Sequence, residues 1–349
     1  MKKILLIGVL LLSLLAGCGS SSGEKQTLKI FSPSVYIDPS VITEFEQKFN
    51  AKVIFDEFES NEQMYTKLLS GETYDILVPS DYMIERLIEE GKLQEIDLDK
   101  IPNFSGVIEG ITNLDYDPGN KYSVPYFWGT VGLLYNENNV DLADLKAEGW
   151  NILHDTKYKG KIFIYDSERD MFMVALKALG YSANTDDEAE IQAAYEWLVQ
   201  INSTMDPVYV TDEVIDAMIA GNKDLAIIYS GDAVYIKLEN EAMEYFTPSE
   251  GTNLWVDAMV IPADAANPDL AHEWINFMLD EDVAYRNTIE VGYTSILQSV
   301  YDEVSGPGGD FEGIEAYIPR LGYAADEIFH HNEELRKAIA ELWVRVKAQ

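Results

Sequence analysis

Cysteine, histidine and positive charge are all scarce in this chain. Cys18 is its one cysteine, and His154, His272, His330 and His331 are its four histidines, among 349 residues. A single thiol excludes a disulfide framework. None of the histidines falls in a His-Glu-x-x-His or comparable zinc spacing, and His330-His331 ahead of Glu333 and Glu334 reads as the solvated start of a helix. A Gly-x-Ser-x-Gly elbow and a phosphate-cradling Gly-x-x-x-x-Gly-Lys-Ser/Thr loop are absent too, so the sequence carries no signature of a hydrolase or a nucleotide-binding enzyme. Lys and Arg number 25 against 61 Asp and Glu, a formal charge of −36. Such a surface repels phosphate backbones and anionic headgroups, which excludes nucleic acid as a natural partner, and it attracts cations. It also keeps a protein soluble, so the charge permits a cationic ligand without demonstrating one.

The one long apolar run lies at the start. Lys2 and Lys3 precede an almost unbroken apolar stretch from Ile4 to Leu15, and Leu15-Ala16-Gly17-Cys18 follows. The run is short for a bilayer span, and charge, apolar core and small residues in that order read as a signal peptide over residues 1–17. The cysteine at the cut matches a bacterial lipobox, which makes Cys18 the lipidated first residue of the mature chain and removes it from any catalytic role. Residues 18–26 are small and polar, as in a flexible tether. The expected location is extracytoplasmic: anchored on the outer face of the cytoplasmic membrane, or periplasmic, according to envelope type.

About 320 residues remain, enough for two lobes of ordinary domain size. Apolar strands at 28–31, 52–55 and 74–78 alternate with helical patterns at 39–49, 61–69 and 81–90, which implies βαβ units and a mainly parallel sheet. A second α/β region begins near Gly132, with strands at 161–165 and 225–229 and helices at 170–179, 188–201 and 212–220. A connecting strand is expected at 253–261, a turn between Pro262 and Pro268, a helix around 272–279 and a last helix at 333–347. In open sheets of this kind ligands sit at the carboxyl ends of strands, which points to residues 32–36 and 79–82.

Aromatics stand beside carboxylates at those ends and at the expected crossovers. Tyr36 precedes Asp38, Tyr82 follows Ser80-Asp81, Trp128 lies in Pro125-Tyr126-Phe127-Trp128-Gly129, and Tyr229 opens Tyr229-Ser230-Gly231-Asp232. Trp255 and Asp257 are two apart, so on a strand they share a face; Tyr293 follows Gly292. This combination suits a ligand with ammonium groups on a methylene chain. Carboxylates offset the lost hydration of each ammonium, and aromatic faces pack the methylenes while adding roughly 0.5–2 kcal/mol of cation–π attraction per ring. By themselves these spacings support a ligand-binding α/β protein, since each aromatic also serves as core.

The chain resembles the spermidine/putrescine-binding proteins of ABC importers. The resemblance is carried by Phe58-Glu59-Ser60-Asn61-Glu62-Gln63-Met64-Tyr65, Tyr74-Asp75-Ile76-Leu77-Val78-Pro79-Ser80-Asp81-Tyr82 and Tyr122-Ser123-Val124-Pro125-Tyr126-Phe127-Trp128-Gly129-Thr130. Leu179-Gly180-Tyr181-Ser182-Ala183-Asn184-Thr185-Asp186 and Glu250-Gly251-Thr252-Asn253-Leu254-Trp255-Val256-Asp257 extend it along nearly the whole mature chain. It implies a type 2 periplasmic-binding-protein fold, in which two α/β lobes joined by crossing strands close on a ligand. The first lobe is expected to be 27–130 plus 257–301 and the second 131–256 plus 302–349.

The resemblance also implies roles. Tyr36, Ser80, Tyr82, Trp255, Asp257 and Tyr293 fall on family binding positions with the residue type kept; Asp257 would pair with an ammonium and Trp255 stack on methylenes. Asp170 stands for a family glutamate, and Tyr229 for a frequent tryptophan. A family aspartate aligns with Ser167, leaving Asp166 or Glu168 as substitute. Pro33 replaces a further aromatic, Thr294-Ser295-Ile296 departs from the usual ending after Gly292-Tyr293, and the family's C-terminal glutamine has its nearest candidate around His330. These departures bear on chain length and selectivity. The implied partners are spermidine or putrescine and a membrane permease, for a monomer without cofactor or catalysis. The same fold with iron(III), thiamine or an organophosphonate is the nearest alternative, although Arg169 is the sole arginine in these motifs, which argues against an anion. A tethered surface hydrolase or adhesin is more distant.

Overall fold

A computed structural model describes residues 25–349; the expected signal segment, Cys18 and most of the tether lie outside the described residues. The first half opens with β1 (Gln26–Pro33), α1 (Pro39–Lys48), β2 (Ala51–Phe58), α2 (Asn61–Leu69), β3 (Ile76–Leu77) and α3 (Asp81–Glu89). Gln26, the last residue of the expected tether, pairs with Ala51 and already belongs to β1. β1 lies between β2 and β3 and is parallel to both. Only two residues of the expected 74–78 strand join the ladder, because the Asp75 carboxylate takes the backbone N–H groups of Lys29 (2.9 Å) and Asn267 (2.7 Å). Asp38 and Ser60 cap α1 and α2 by accepting from the N–H groups of Ser40 and Gln63, which satisfies donors that a helix start leaves open.

The middle of the chain is organised by β4 (Ser123–Asn136), fourteen residues long and buried along nearly all of its length. It is followed by α4 (Leu142–Glu148), β5 (Ile162–Tyr165), α5 (Glu168–Ala178), α6 (Glu188–Met205), β6 (Val208–Val210), α7 (Val214–Ile219), β7 (Leu225–Tyr229), α8 (Ser230–Glu239), β8 (Met243–Phe246) and β9 (Leu254–Val260). The N-terminal part of β4 pairs antiparallel with β9, and its C-terminal part pairs with β7 and β8. The strand order is therefore β2-β1-β3-β9-β4-β7-β5-β6, with parallel groups at both ends and the antiparallel β9 and β4 between them. One strand thus crosses from one α/β half to the other.

After β9 come α9 (Pro268–Met278), α10 (Glu281–Val291), β10 (Thr294–Ser295), which also pairs with β4, α11 (Gln298–Ser305) and, beyond a long stretch of mainly loop and turn, α12 (Glu333–Lys347). Pro262 and Pro268 bracket a turn as expected, and Pro268 opens α9, where its missing N–H costs nothing.

Alternation along the strands sorts two apolar cores. Leu134, Ala226 and Ile228 face one cluster with Phe31, Phe45 and Trp274; Leu133, Leu225 and Ile227 face the other with Trp150, Phe172 and Trp343. Phe45 meets Trp274 edge-on at 4.9 Å, and Phe31 stacks on Tyr74 at 4.6 Å. Trp150 is buried with its indole N–H on the Gly251 carbonyl at 2.9 Å. Burying one such ring contributes about 1.5–3 kcal/mol, so these clusters set the positions of the strand ends around them.

Candidate ligand-binding site

The ends of β1 and β3, the centre of β9 and the segment before β10 converge on Asp257. Tyr36, in the turn after β1, donates its hydroxyl to Asp257 Oδ2 at 2.6 Å, and its own carbonyl accepts from Tyr126 at 2.7 Å. Its ring lies edge-on to Phe127 (5.3 Å) and Tyr293 (5.7 Å). Ser80 pairs with Asp257 through a short antiparallel bridge. It occupies the cap position of α3 without capping it; instead its Oγ and N–H are held by the Asn61 side chain at 3.0 and 3.1 Å. Asp257 Oδ1 is buried and has no hydrogen-bond partner, and neither has the buried indole N–H of Trp255. Burial pushes the Asp257 carboxyl up to about 6 even though Tyr36 and Ser80 favour its charged form.

The second half contributes Tyr229 at the end of β7 and Asp170 in the first turn of α5. The Tyr229 hydroxyl donates to Asp170 Oδ2 at 2.5 Å, and the Ser167 hydroxyl reaches the same oxygen at 2.7 Å. Burial raises the Asp170 carboxyl above its usual range. Tyr229 is edge-on to Trp255 at 6.2 Å, and Trp255 to Tyr293 at 4.9 Å, so the aromatics form one continuous wall between the two carboxylates. Tyr82 has its hydroxyl on Glu62 (3.1 Å) and its ring face under the Arg169 guanidinium at 4.0 Å.

Asp232 belongs to this wall although spacing gave it no role. It lies in the first turn of α8, directly after β7, and accepts a long bond of 3.4 Å from the Tyr293 hydroxyl. Burial and the nearby Asp212 charge push it up to about 7. Its position after a strand end matches that of Asp81 after β3, a signal that sequence reasoning could have used. Asp81 is buried, holds the Val256 N–H at 3.2 Å and so ties α3 to β9; burial raises it to about 7.

Two glycines admit the wall. A side chain at Gly231 would place its Cβ 1.9 Å from Tyr293 Cδ1, and one at Gly129 would lie 2.4 Å from Ser230 Oγ and 2.6 Å from Trp255 Cζ2.

Asp166 is not brought to the wall. Its carboxylate accepts from the Trp343 indole N–H (2.9 Å) and pairs with Lys347 (2.6 Å), both on α12. A carboxylate neutralised in that way anchors the last helix. The role proposed for it beside Ser167 is corrected accordingly, and Ser167 itself serves as cap of α5 and partner of Asp170. His330 also turns elsewhere, toward Glu85 at 3.2 Å.

Buried carboxylates whose hydroxyl partners leave them underneutralised, joined by aromatic faces, suit a slender ligand with more than one positive charge. Comparison with known proteins agrees. The family model of bacterial extracellular solute-binding proteins matches residues 40–308. The chain belongs to that family. Within it, this binding protein is 33% identical over 294 residues to the spermidine/putrescine-binding periplasmic protein of Escherichia coli, covering 84% of this chain and 83% of the relative. It is 29% identical to a putrescine/cadaverine-binding protein of Pseudomonas aeruginosa, with 99% of each chain covered. The solved spermidine/putrescine ABC transporter substrate-binding protein of Streptococcus pneumoniae superposes with a TM-score of 0.80 at 33% identity, over 93% of this chain and 99% of the other. The two-lobe fold of periplasmic solute-binding proteins is thus the fold of this chain.

Proposed function

We propose that this protein captures a polyamine, spermidine or putrescine, between its lobes and delivers it to the permease of an ABC importer. The observation that carries this reading is the buried, unpartnered Oδ1 of Asp257 beside the Trp255–Tyr293 pair. An ammonium there supplies the missing donor and reverses the burial penalty on the carboxylate. Asp232 and Asp170 take a second positive end, with the methylenes along Trp255, Tyr293 and Tyr229. Tyr36, Ser80 and Tyr82 complete the wall. The relatives, named as binding proteins for spermidine, putrescine and cadaverine, support the same solute class.

The mechanism is capture rather than chemistry. Residues 27–130 and 257–301 form one lobe, and 131–256 with 302–349 the other, with β4 passing between them. Ligand held on one lobe biases closure, and closure excludes water and strengthens each charge pair. Among the described residues no helix is long and apolar enough to cross a membrane; in this reading lipid on Cys18 holds a monomeric protein at the membrane surface. Mass spectrometry of small molecules released on denaturing the purified protein tests the solute class. A polyamine in near-equimolar amount is expected, and bound iron or thiamine in its place would overturn the reading.

A further inference from the structure

A second set of contacts joins the two halves outside the aromatic wall. α3 belongs to the first half: Met83, Ile84 and Leu87 lie in the first core, and Asp81 is tied to β9. The segment 325–333 belongs to the second. Glu327 pairs with the buried Lys177 at 2.6 Å and accepts from Ser182 and Ala183, and Phe329 lies in the second core. Asn184 holds the Ile328 carbonyl and the His330 N–H, while Arg169 donates to the His330 carbonyl. These two fastened elements meet at Glu85. Its carboxylate accepts from the His331 N–H at 2.5 Å and faces His330 Nδ1 at 3.2 Å; the next residue, Arg86, lies 3.6 Å from Glu333.

We propose that Glu85 is a positioning residue that sets affinity: it clasps the 330–333 segment of the second lobe to α3 of the first and holds the cleft closed over bound polyamine. The inference rests on the polyamine reading above. Opening the lobes breaks every one of the Glu85 contacts together, whereas the bonds that fasten each element to its own half survive. The clasp therefore contributes to the closed state alone, and through closure to ligand affinity.

The clasp is also sensitive to pH. His330 faces Glu85 and Asp81 from α3 and Asp115 from the loop before β4, with Arg169 of α5 on its carbonyl and His331 beside it in the chain. The Glu85 bond raises its pKa in the closed form, ahead of the opposing effect of burial. A group raised by closure favours the closed form below its open-state value, and that contribution is lost as pH rises through the closed-state value.

The test is calorimetric titration of the mature chain with putrescine and spermidine at about pH 6 and about pH 8, comparing wild type, Glu85→Gln and His330→Gln. Glu85→Gln is expected to weaken binding on the order of tenfold at the lower pH and less at the higher. His330→Gln is expected to lose only the pH-dependent part. Small-angle scattering of the ligand-saturated proteins is expected to show a larger radius of gyration for Glu85→Gln. Unchanged affinity in Glu85→Gln, or one wild-type-to-variant ratio at both pH values, overturns the clasp. If Glu85→Gln does not fold, His330→Gln decides alone: a pH profile like that of wild type overturns it. Wild type that binds neither ligand refutes instead the polyamine reading on which the clasp rests.

Discussion

Tyr36 and Asp257 are 221 residues apart, yet the tyrosine hydroxyl meets one carboxylate oxygen at 2.6 Å while the other oxygen is buried with no partner. A half-satisfied buried carboxylate is costly, and a site built to receive a cation is a physical reason to keep one.

That cost yields a prediction about stability. The carboxyl of Asp257 is raised to about 6 in the fold. A carboxyl raised by folding takes stability away as pH rises from its unfolded value through its folded one, so at neutral pH and above the penalty is fully present. Asp257→Asn is expected to raise the ligand-free melting temperature at neutral pH, by the equivalent of about 1–3 kcal/mol, while reducing polyamine affinity at least about a hundredfold. Thermal unfolding with and without ligand checks both halves.

Binding is expected to expel protons. Asp257, raised to about 6, and Asp232, raised to about 7, carry protons for part of the time in ligand-free protein near those pH values. An ammonium beside either lowers its pKa, so capture releases up to about one proton per carboxylate in that range, and affinity falls as pH drops through it. Titrations at pH 6.5 in buffers of differing ionisation enthalpy should show heats that depend on buffer. Buffer-independent heats there would mean that the ligand does not meet these carboxylates.

Gly231→Ala tests the aromatic wall. A Cβ 1.9 Å from the Tyr293 ring forces that ring to move, and overpacking of this kind costs about 1–3 kcal/mol. Binding is expected to suffer more than folding, because Tyr293 contacts Trp255, Tyr36 and Asp232 together. A lowered melting temperature with affinity retained would place Tyr293 outside the site.

Asp166→Ala separates the two carboxylates of one motif. Its bonds to Trp343 and Lys347 fasten α12, so a modest loss of stability is expected, below about 1–2 kcal/mol, with polyamine affinity unchanged. Asp170→Ala, by contrast, should weaken binding. Equal losses of affinity in the two variants would return Asp166 to the site.

These residues also mark how far the sequence could be read. Apolar strands and capped helices are legible in both halves: α2 occupies Asn61–Leu69, as its pattern predicts, and β7 occupies Leu225–Tyr229. Trp255 and Asp257 share a strand face as period two requires, although their meeting with Tyr36 and Tyr293 is a property of the fold. Asp166 stands, with Glu168, as a substitute for the family aspartate aligned with Ser167, because the contact that holds its carboxylate comes from Lys347, 181 residues away, and no local spacing encodes such a contact. Asp232 enters the sequence reading only as the carboxylate that ends Tyr229-Ser230-Gly231-Asp232; its contact with Tyr293 depends on α8 starting there and on the glycine that lets Tyr293 approach. β4 escaped notice as a strand because its Pro-Tyr-Phe-Trp-Gly segment lacks alternation; buried on both faces, it has no polar side to show.

The central claim is that Asp257 receives an ammonium group of a polyamine. Isothermal titration of refolded, ligand-free protein with putrescine and with spermidine, for wild type and Asp257→Ala, tests it most directly. Saturable one-to-one binding by wild type, weakened by salt and abolished by Asp257→Ala, is the expected result. The absence of heat with either polyamine in folded wild-type protein, or undiminished binding by Asp257→Ala, would contradict it.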